Sequence, residues 1–425
     1  MRKLAIFAIS AMVIALGASA YAEVQNVKVS GKVNVSAVYR NAYTVQGVVP
    51  TDPAAVGVSG YDENYVDGTA GDYLLITSQI GVQADLTDNV SANVVIRSQK
   101  EAGTGATDGL GVVASYITLS EFLYSPLTVK AGFFAYTLGS ALILGDGTPA
   151  STNLTYSDLS EKVAFDGILA DIALDNATVT IGYLKPRVTG MDNRRGDIFV
   201  IDSNMDLDGA ALELYYVYDG SDKGSATAAD NERNYLGARV SGDLMEGLTG
   251  SFEVAYLFGD YKGVAGTTKD YDALAIEAGV DYAVSDTASV GLGLTYLSGD
   301  KDVATGAANT GDYEAWTAPY EDQVIGEIAD IGSNVLAIEL NGSVALADDV
   351  NLTGKLYHFI ADEDVSLYKS SGKDDDLGNE LDLYLTWDYT PDVQFGLTVA
   401  SYWPGDAFDK DDTAYEILGG VTVNF

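Results

Sequence analysis

The 425-residue chain has no cysteine, one histidine and eight prolines, and its 23 lysines and arginines are far outnumbered by 62 aspartates and glutamates. Each shortage excludes something. Without cysteine no disulfide can hold the fold, so a long exported chain must rely on hydrogen bonds and packing. Scarce proline argues against long disordered tracts. A formal net charge of −39 has the wrong sign for a nucleic-acid partner. Beyond residue 22 no apolar run approaches the roughly 20 residues that a spanning helix needs.

The first 22 residues differ from the rest. Arg2 and Lys3 precede an apolar run from Leu4 to Leu16 and the small residues Gly17, Ala18, Ser19 and Ala20. This is the layout of a cleaved secretory signal, with Glu23 expected as the first mature residue. The run is short for a retained anchor helix. One domain is expected from 23 to 425.

What is abundant is tyrosine (28), glycine (46) and a beat of two. Val27, Val29, Val33, Val35, Ala37 and Tyr39 share one face, opposite Lys28, Ser30, Lys32, Asn34, Ser36 and Arg40. The pattern returns in Leu336, Ile338, Leu340, Val344 and Leu346 and in Leu381, Leu383, Leu385, Trp387 and Tyr389. Such stretches are strands with one dry and one polar face. Short turns near 87–89, 124–126, 175–176, 245–247, 285–287, 347–349 and 390–392 alternate with long polar segments at 46–70, 139–160, 219–232, 300–331 and 363–377. Tight turns at one end and long loops at the other is the asymmetry of an outer-membrane barrel.

Parity then fixes an even strand number. The stretch GDIFVIDSN, Gly196 to Asn204, must be a strand for the turns to stay on one side. The expectation is a closed antiparallel transmembrane β-barrel of about 18 strands, with 16 as the alternative. The strands would begin near 27, 71, 90, 110, 127, 161, 177, 196, 207, 233, 248, 270, 288, 332, 350, 377, 393 and 412.

A soluble sandwich alternates too, so alternation alone does not decide. The strands are long for a soluble sheet and suit a tilted span of about 9–11 residues plus flanks. Aromatic residues gather near strand ends on the apolar face: Tyr39, Tyr216, Tyr218, Tyr256, Phe258, Tyr282, Tyr296, Trp387 and Tyr389. That is the girdle of a lipid interface. The chain ends YEILGGVTVNF, still in step, which suits a last strand closing on the first, and Phe425 resembles the terminal signal read by barrel-assembly machinery. Localisation in a bacterial outer membrane follows, with lipid and lipopolysaccharide as surroundings.

Charge orients the wall. A lysine or arginine facing lipid costs about 2–4 kcal/mol at mid-membrane, so the charged face is the lumen. The basic candidates for lining it are Lys32, Arg40, Arg97, Lys130, Arg239 and Lys355. The acidic ones are Asp85, Glu213, Glu253, Glu277, Asp281, Glu339, Asp382 and Glu416. The alternative for any one of them is a cross-strand pair that only solvates the wall. So many strands leave room for an aqueous channel unless a loop enters it. The candidate loop, Leu138 to Glu161, carries Leu142, Ile143 and Leu144, and would bring Asp146 and Asp158 to a constriction. Packing over the outer rim is the alternative. The reading is a passive channel for small hydrophilic solutes with mild cation preference.

The segments LTVKAGFFAYTLGSALILGDGT (Leu127 to Thr148) and YSDLSEKVAFDGILADIALDNATVTIGYLKP (Tyr156 to Pro186) resemble the alginate-export type of outer-membrane porin. In that family a strand with a glycine-containing motif runs into a loop, and the next strand holds Phe-Asp-Gly, matched by Phe165, Asp166 and Gly167. The resemblance implies barrel and porin class. Where the family carries Gly-Arg-Gln this chain has Gly132, Phe133 and Phe134. The missing arginine and the acidic balance argue against a polyanionic substrate.

Two other readings compete. A hydrolase would have only His358, whose parity puts it with Leu356 and Ile360 on the lipid side. A structural or adhesive surface protein would need larger external loops or a passenger domain. The acid-rich stretches Lys373–Gly378 and Asp202–Gly209 match no calcium loop and read as solvated charge. No cofactor or metal is called for.

Overall fold

The computed structural model describes residues 26–42, 71–103, 105–124, 126–145, 165–185, 197–220, 232–262, 268–300, 311–365, 374–409 and 411–425. The leader call on residues 1–22 lies outside them. Eighteen strands run in chain order. The first six are β1 (Asn26–Asn41), β2 (Gly71–Thr87), β3 (Val90–Ala102), β4 (Thr107–Leu119), β5 (Leu127–Phe134) and β6 (Phe165–Ala173). Next come β7 (Ala177–Lys185), β8 (Ile198–Asp206), β9 (Ala210–Asp219), β10 (Glu232–Met245), β11 (Leu248–Lys262) and β12 (Thr268–Ser285). The last are β13 (Ala288–Leu297), β14 (Val335–Ala347), β15 (Val350–Val365), β16 (Asp374–Thr390), β17 (Val393–Pro404) and β18 (Ala414–Asn424). No start differs by more than four residues from its expected position, and the count is 18 rather than 16.

Each strand pairs antiparallel with its sequence neighbours, and β18 returns to β1 with Val35 opposite Val421 and Arg40 opposite Glu416. Closure leaves no strand edge, which hydrocarbon would not tolerate. Eight short connections, 88–89 through 391–392, lie at the end that holds both barrel termini, and the long ones lie at the other.

The two faces separate as the charge pattern requires. Val29 is 63 % exposed on the outer face of β1, whereas inward Arg40 is 2 % exposed. The outward aromatics form two bands. Tyr39, Tyr218, Tyr256, Phe258 and Tyr296 stand near the long-loop end, and Tyr282, Trp387, Tyr389 and Phe395 near the short-turn end. Within the lower band Trp387 stacks on Phe395 at 5.3 Å and its indole N–H donates to Asp349 at 2.9 Å.

Phe425 ends the seam, one residue beyond the Lys32–Asn424 pair. Its amide donates to the carbonyl of Gly31 at 3.0 Å, and the Gly31 amide donates back to the Phe425 carbonyl at 2.7 Å. The aromatic ring lies over Gly31, where an added Cβ would overlap it. Gly396 on β17 offers a contrast, because a Cβ there meets nothing.

Gly31→Val is therefore expected to displace the exposed Phe425 ring and hinder closure, by no more than the low end of the about 1–3 kcal/mol of core overpacking, while Gly396→Ala is tolerated. Refolding into detergent and scoring the compact, heat-modifiable band in unheated gels checks this. Equal folded fractions for the two variants would contradict the seat at Gly31.

Candidate constriction site

Interior-facing positions change character along the barrel. On β7 to β11 and on β15 those toward the long-loop end are mainly apolar: Leu184 on β7, Ile198 and Val200 on β8, Val217 on β9, Tyr235 on β10, Leu257 on β11 and Phe359 on β15 are all buried. Toward mid-barrel the same faces carry charge. An interior that is dry in its outer half needs something apolar to pack against. Two segments supply it.

The first is the connection after β5. Leu138, Leu142, Ile143 and Leu144 are at most 1 % exposed, and the far wall holds their backbone. The Gly139 amide donates to Glu213 at 3.0 Å and the Ser140 amide to Glu253 at 2.9 Å. The Ser140 hydroxyl donates to Glu277 at 2.6 Å. Leaving the β5 end and reaching β9, β11 and β12 requires this segment to run through the interior, not over the rim. Asp146 and Asp158 lie outside the described residues.

The second segment is a correction to the sequence reading, which placed 300–331 among the external polar loops. Its described part, 311–334, turns inward. Trp316, Ile325, Ile328, Ala329 and Ile331 are buried, and Tyr235 donates to the Thr317 carbonyl at 2.7 Å. The wall again answers with carboxylates. Glu380 accepts from the amides of Ile328 at 2.6 Å and Ala329 at 2.8 Å, and Asp382 from that of Glu327 at 3.3 Å. Tyr384 donates to Glu327 at 2.9 Å. The two segments also pair: Gly145 donates to the Tyr320 carbonyl at 2.6 Å, and Asp322 to that of Ala141 at 3.2 Å. Phe165 meets Tyr320 edge to face at 5.4 Å.

All fourteen charged residues chosen from the sequence occupy interior-facing positions, as the strand registers require. They do different things there. Arg40 and Glu416 form a buried ion pair across the closing seam. Arg239 lies 3.4 Å from Glu253, and Lys355 lies 3.6 Å from Glu339. Lys130 sits over the rings of Tyr116 at 4.4 Å and Phe134 at 4.7 Å, two cation–π contacts. Arg97 and Asp382 are buried, Lys32 and Asp85 half-buried, and Asp281 exposed. In the motif region, Gly132 has φ 137°, a conformation that favours glycine, and a Cβ there would meet the backbone of β4.

Several contributors were not chosen from the sequence: Ser140, Gln323, Tyr357, Glu380 and the buried Asp202. A usable signal existed, because strand ends such as Tyr215–Tyr218 and Phe359–Ala361 are apolar on both faces. Burial pushes the hydroxyl of Tyr136, just before the first inward segment, well above its usual range, and Asp202, Glu213 and Asp171 add to the push. It stays a neutral phenol beside those acids. His358 points outward, its Nδ1 3.0 Å from Asn379 Oδ1, and no group of side chains suited to a metal exists among the described residues.

An 18-strand closed barrel with aromatic bands and inward loops defines the porin class of outer-membrane protein. The alginate export profile matches residues 160–417, more than half of the chain, and the chain belongs to that family. Among solved structures, Pseudomonas aeruginosa OpdQ is similar with a TM-score of 0.59 at 13 % identity, over 96 % of this chain and 99 % of that one. Acinetobacter baumannii OccAB2 gives 0.61 at 10 % identity, covering 96 % and 99 %. The P. aeruginosa outer membrane protein OpdK gives 0.61 at 11 %, covering 95 % and 100 %. No curated protein sequence matches. The family and these neighbours are channels rather than enzymes, and the protein resides in the bacterial outer membrane.

Removing a wall carboxylate should loosen the segment it holds. Glu380→Ala leaves two amides without their acceptor, at about 1–3 kcal/mol for each buried unsatisfied group. Higher single-channel conductance and faster proteolysis within 311–334 are expected. Unchanged values for both would show that apolar packing alone holds the segment.

Proposed function

We propose that the protein is a passive, water-filled channel for small hydrophilic solutes with mild cation preference, and that alginate is not its cargo. The observation that carries this reading is the acidic belt at the level of the inward segments. Glu213, Glu253, Glu277, Glu339, Glu380 and Asp382 face the interior there, against Arg239 and Lys355. At physiological salt a charge acts over about 8 Å, so a belt at a narrow section biases traffic where acids on distant loops do not. Lys130 is capped by two rings, and Arg40 is paired with Glu416. Phenylalanines at 133 and 134 replace the family's arginine and glutamine.

Around the barrel, Phe425 serves as the signal for the assembly machinery, and divalent ions bridge rim acids to lipopolysaccharide. These roles rest on the terminal aromatic and on the chain's acidity.

Planar-bilayer reversal potentials in a KCl gradient test the selectivity: cation preference is expected, and anion preference would overturn it. In liposome swelling, an alginate oligosaccharide should enter more slowly than a neutral oligosaccharide of equal length. Faster entry of the uronate would restore the polyanion as cargo.

A further inference from the structure

Beneath the second inward segment, at Gln323, Val324 and Ile325, the wall formed by β12 to β15 is recessed by about 270 Å³. Missing side chains make the space. A Cβ at Gly291 would overlap Asp281 and crowd Asn341, and one at Gly293 would press on Glu339. The backbone is thus kept bare where neighbouring acids lean over it.

The hydrogen-bond inventory of this recess is lopsided. The Asn341 amide NH₂ donates to Glu339 at 2.9 Å, and that of Gln323 to Glu277 at 3.1 Å. Lys355, the one cation of the lining, is 3.6 Å from Glu339 and donates to the Tyr357 hydroxyl at 3.3 Å. Each of these donor groups already has an acceptor on the wall. Acceptors outnumber the remaining donors: the two amide carbonyls and the remaining lone pairs of Glu277, Glu339 and Asp281. Asp281 is exposed and has no hydrogen-bond partner among the described residues. Three carboxylates against one ammonium leave a formal charge of −2.

Placement separates this from a metal site. Glu277 and Asp281 are four residues apart on one face of β12, about 13 Å along the strand. Glu339, two strands away on β14, is level with Gly279 between them. No point ion reaches all three. An elongated solute with a donor-bearing cation at each end does.

We propose that the recess is a binding station for small linear diamines, solutes that carry two ammonium groups and no carboxylate. Lys355 stands beside Glu339, so a solute carboxylate would meet three repelling acids and one ammonium already paired with one of them. The station rests on the channel reading above and adds a substrate class to it.

The test is single-channel recording of the mature barrel in planar bilayers with 1,4-diaminobutane as probe. Erythritol and succinate, of the same chain length, are the neutral and anionic comparators. The diamine should interrupt the current at millimolar concentration, and the comparators should not. Relative to each variant's own open current, Asp281→Asn with Glu339→Gln should raise the half-blocking concentration at least about tenfold. Lys355→Met should lower it, and Asp85→Asn, on the opposite wall, should shift it less than about twofold. Should the double variant fail to close, Asp281→Asn alone and Lys355→Met still move the block in opposite directions. Unchanged block in the recess variants, or block by succinate at the same concentration, overturns the proposal. A cation-selective channel without diamine block removes the station alone, and an anion-selective channel with diamine block removes only the proposed selectivity.

Discussion

Hydrocarbon offers the backbone no hydrogen-bond partner, and the structure is organised around that constraint. Every strand between β1 and β18 must find a neighbour on both sides. The seam is where this is hardest, since it joins the two ends of the chain. Here the last residue exchanges two backbone hydrogen bonds with Gly31 and lays its ring on a residue with nothing to displace. The Arg40–Glu416 pair ties the seam nearer its other end. Closing the sheet turns its inner face into a surface insulated from lipid, on which charge is permitted.

The same constraint acts a second time inside. A loop that enters a narrow, partly dry interior carries its own amides and cannot rely on bulk water. Its apolar side chains pack against apolar wall positions, but the backbone still needs acceptors. Carboxylates are the strongest available, because a hydrogen bond to an ionised group is worth about 1.5–3 kcal/mol against about 1 for a neutral one. This accounts for Glu213, Glu253 and Glu380 accepting from loop amides, Glu253 in addition to its ion pair with Arg239. The acidity of the wall is thus partly structural: the groups that anchor the inward segments also leave the narrow section negative.

Much of this was legible in the sequence, for reasons of periodicity. A strand with one lipid face shows its beat strongly, so β1, β14 and β16 could be read residue by residue, and the fourteen charged interior positions that were chosen followed from parity, while Glu380 and Asp202 were passed over. Loop 138–145 was legible as a candidate because Leu142, Ile143 and Leu144 are consecutive and would be unfavourable in water. The segment 311–334 was not. Its apolar residues, Trp316, Ile325, Ile328 and Ile331, are spread among polar ones without the two-residue beat of a strand, and burial follows only from what they meet. The partner surface is non-local: Glu380 and Ile328 are 52 residues apart. Pattern along the chain carries no register for such contacts.

Total charge is the feature of this sequence most easily overread. A formal −39 suggests a strongly cation-drawing pore, yet a charge counts only within a screening length of the solute. Acids far from a narrow section do little within it. Inside, part of the acidic complement is already bonded: Glu416 to Arg40, Glu380 to two amides, Asp382 to a third. What remains to act on a passing solute is the small set whose acceptors stay open beneath the inward segments. On the proposed reading, discrimination depends on where a few carboxylates stand relative to Lys355. A channel of modest ionic bias can therefore distinguish sharply between solutes that differ in how their charges are spaced.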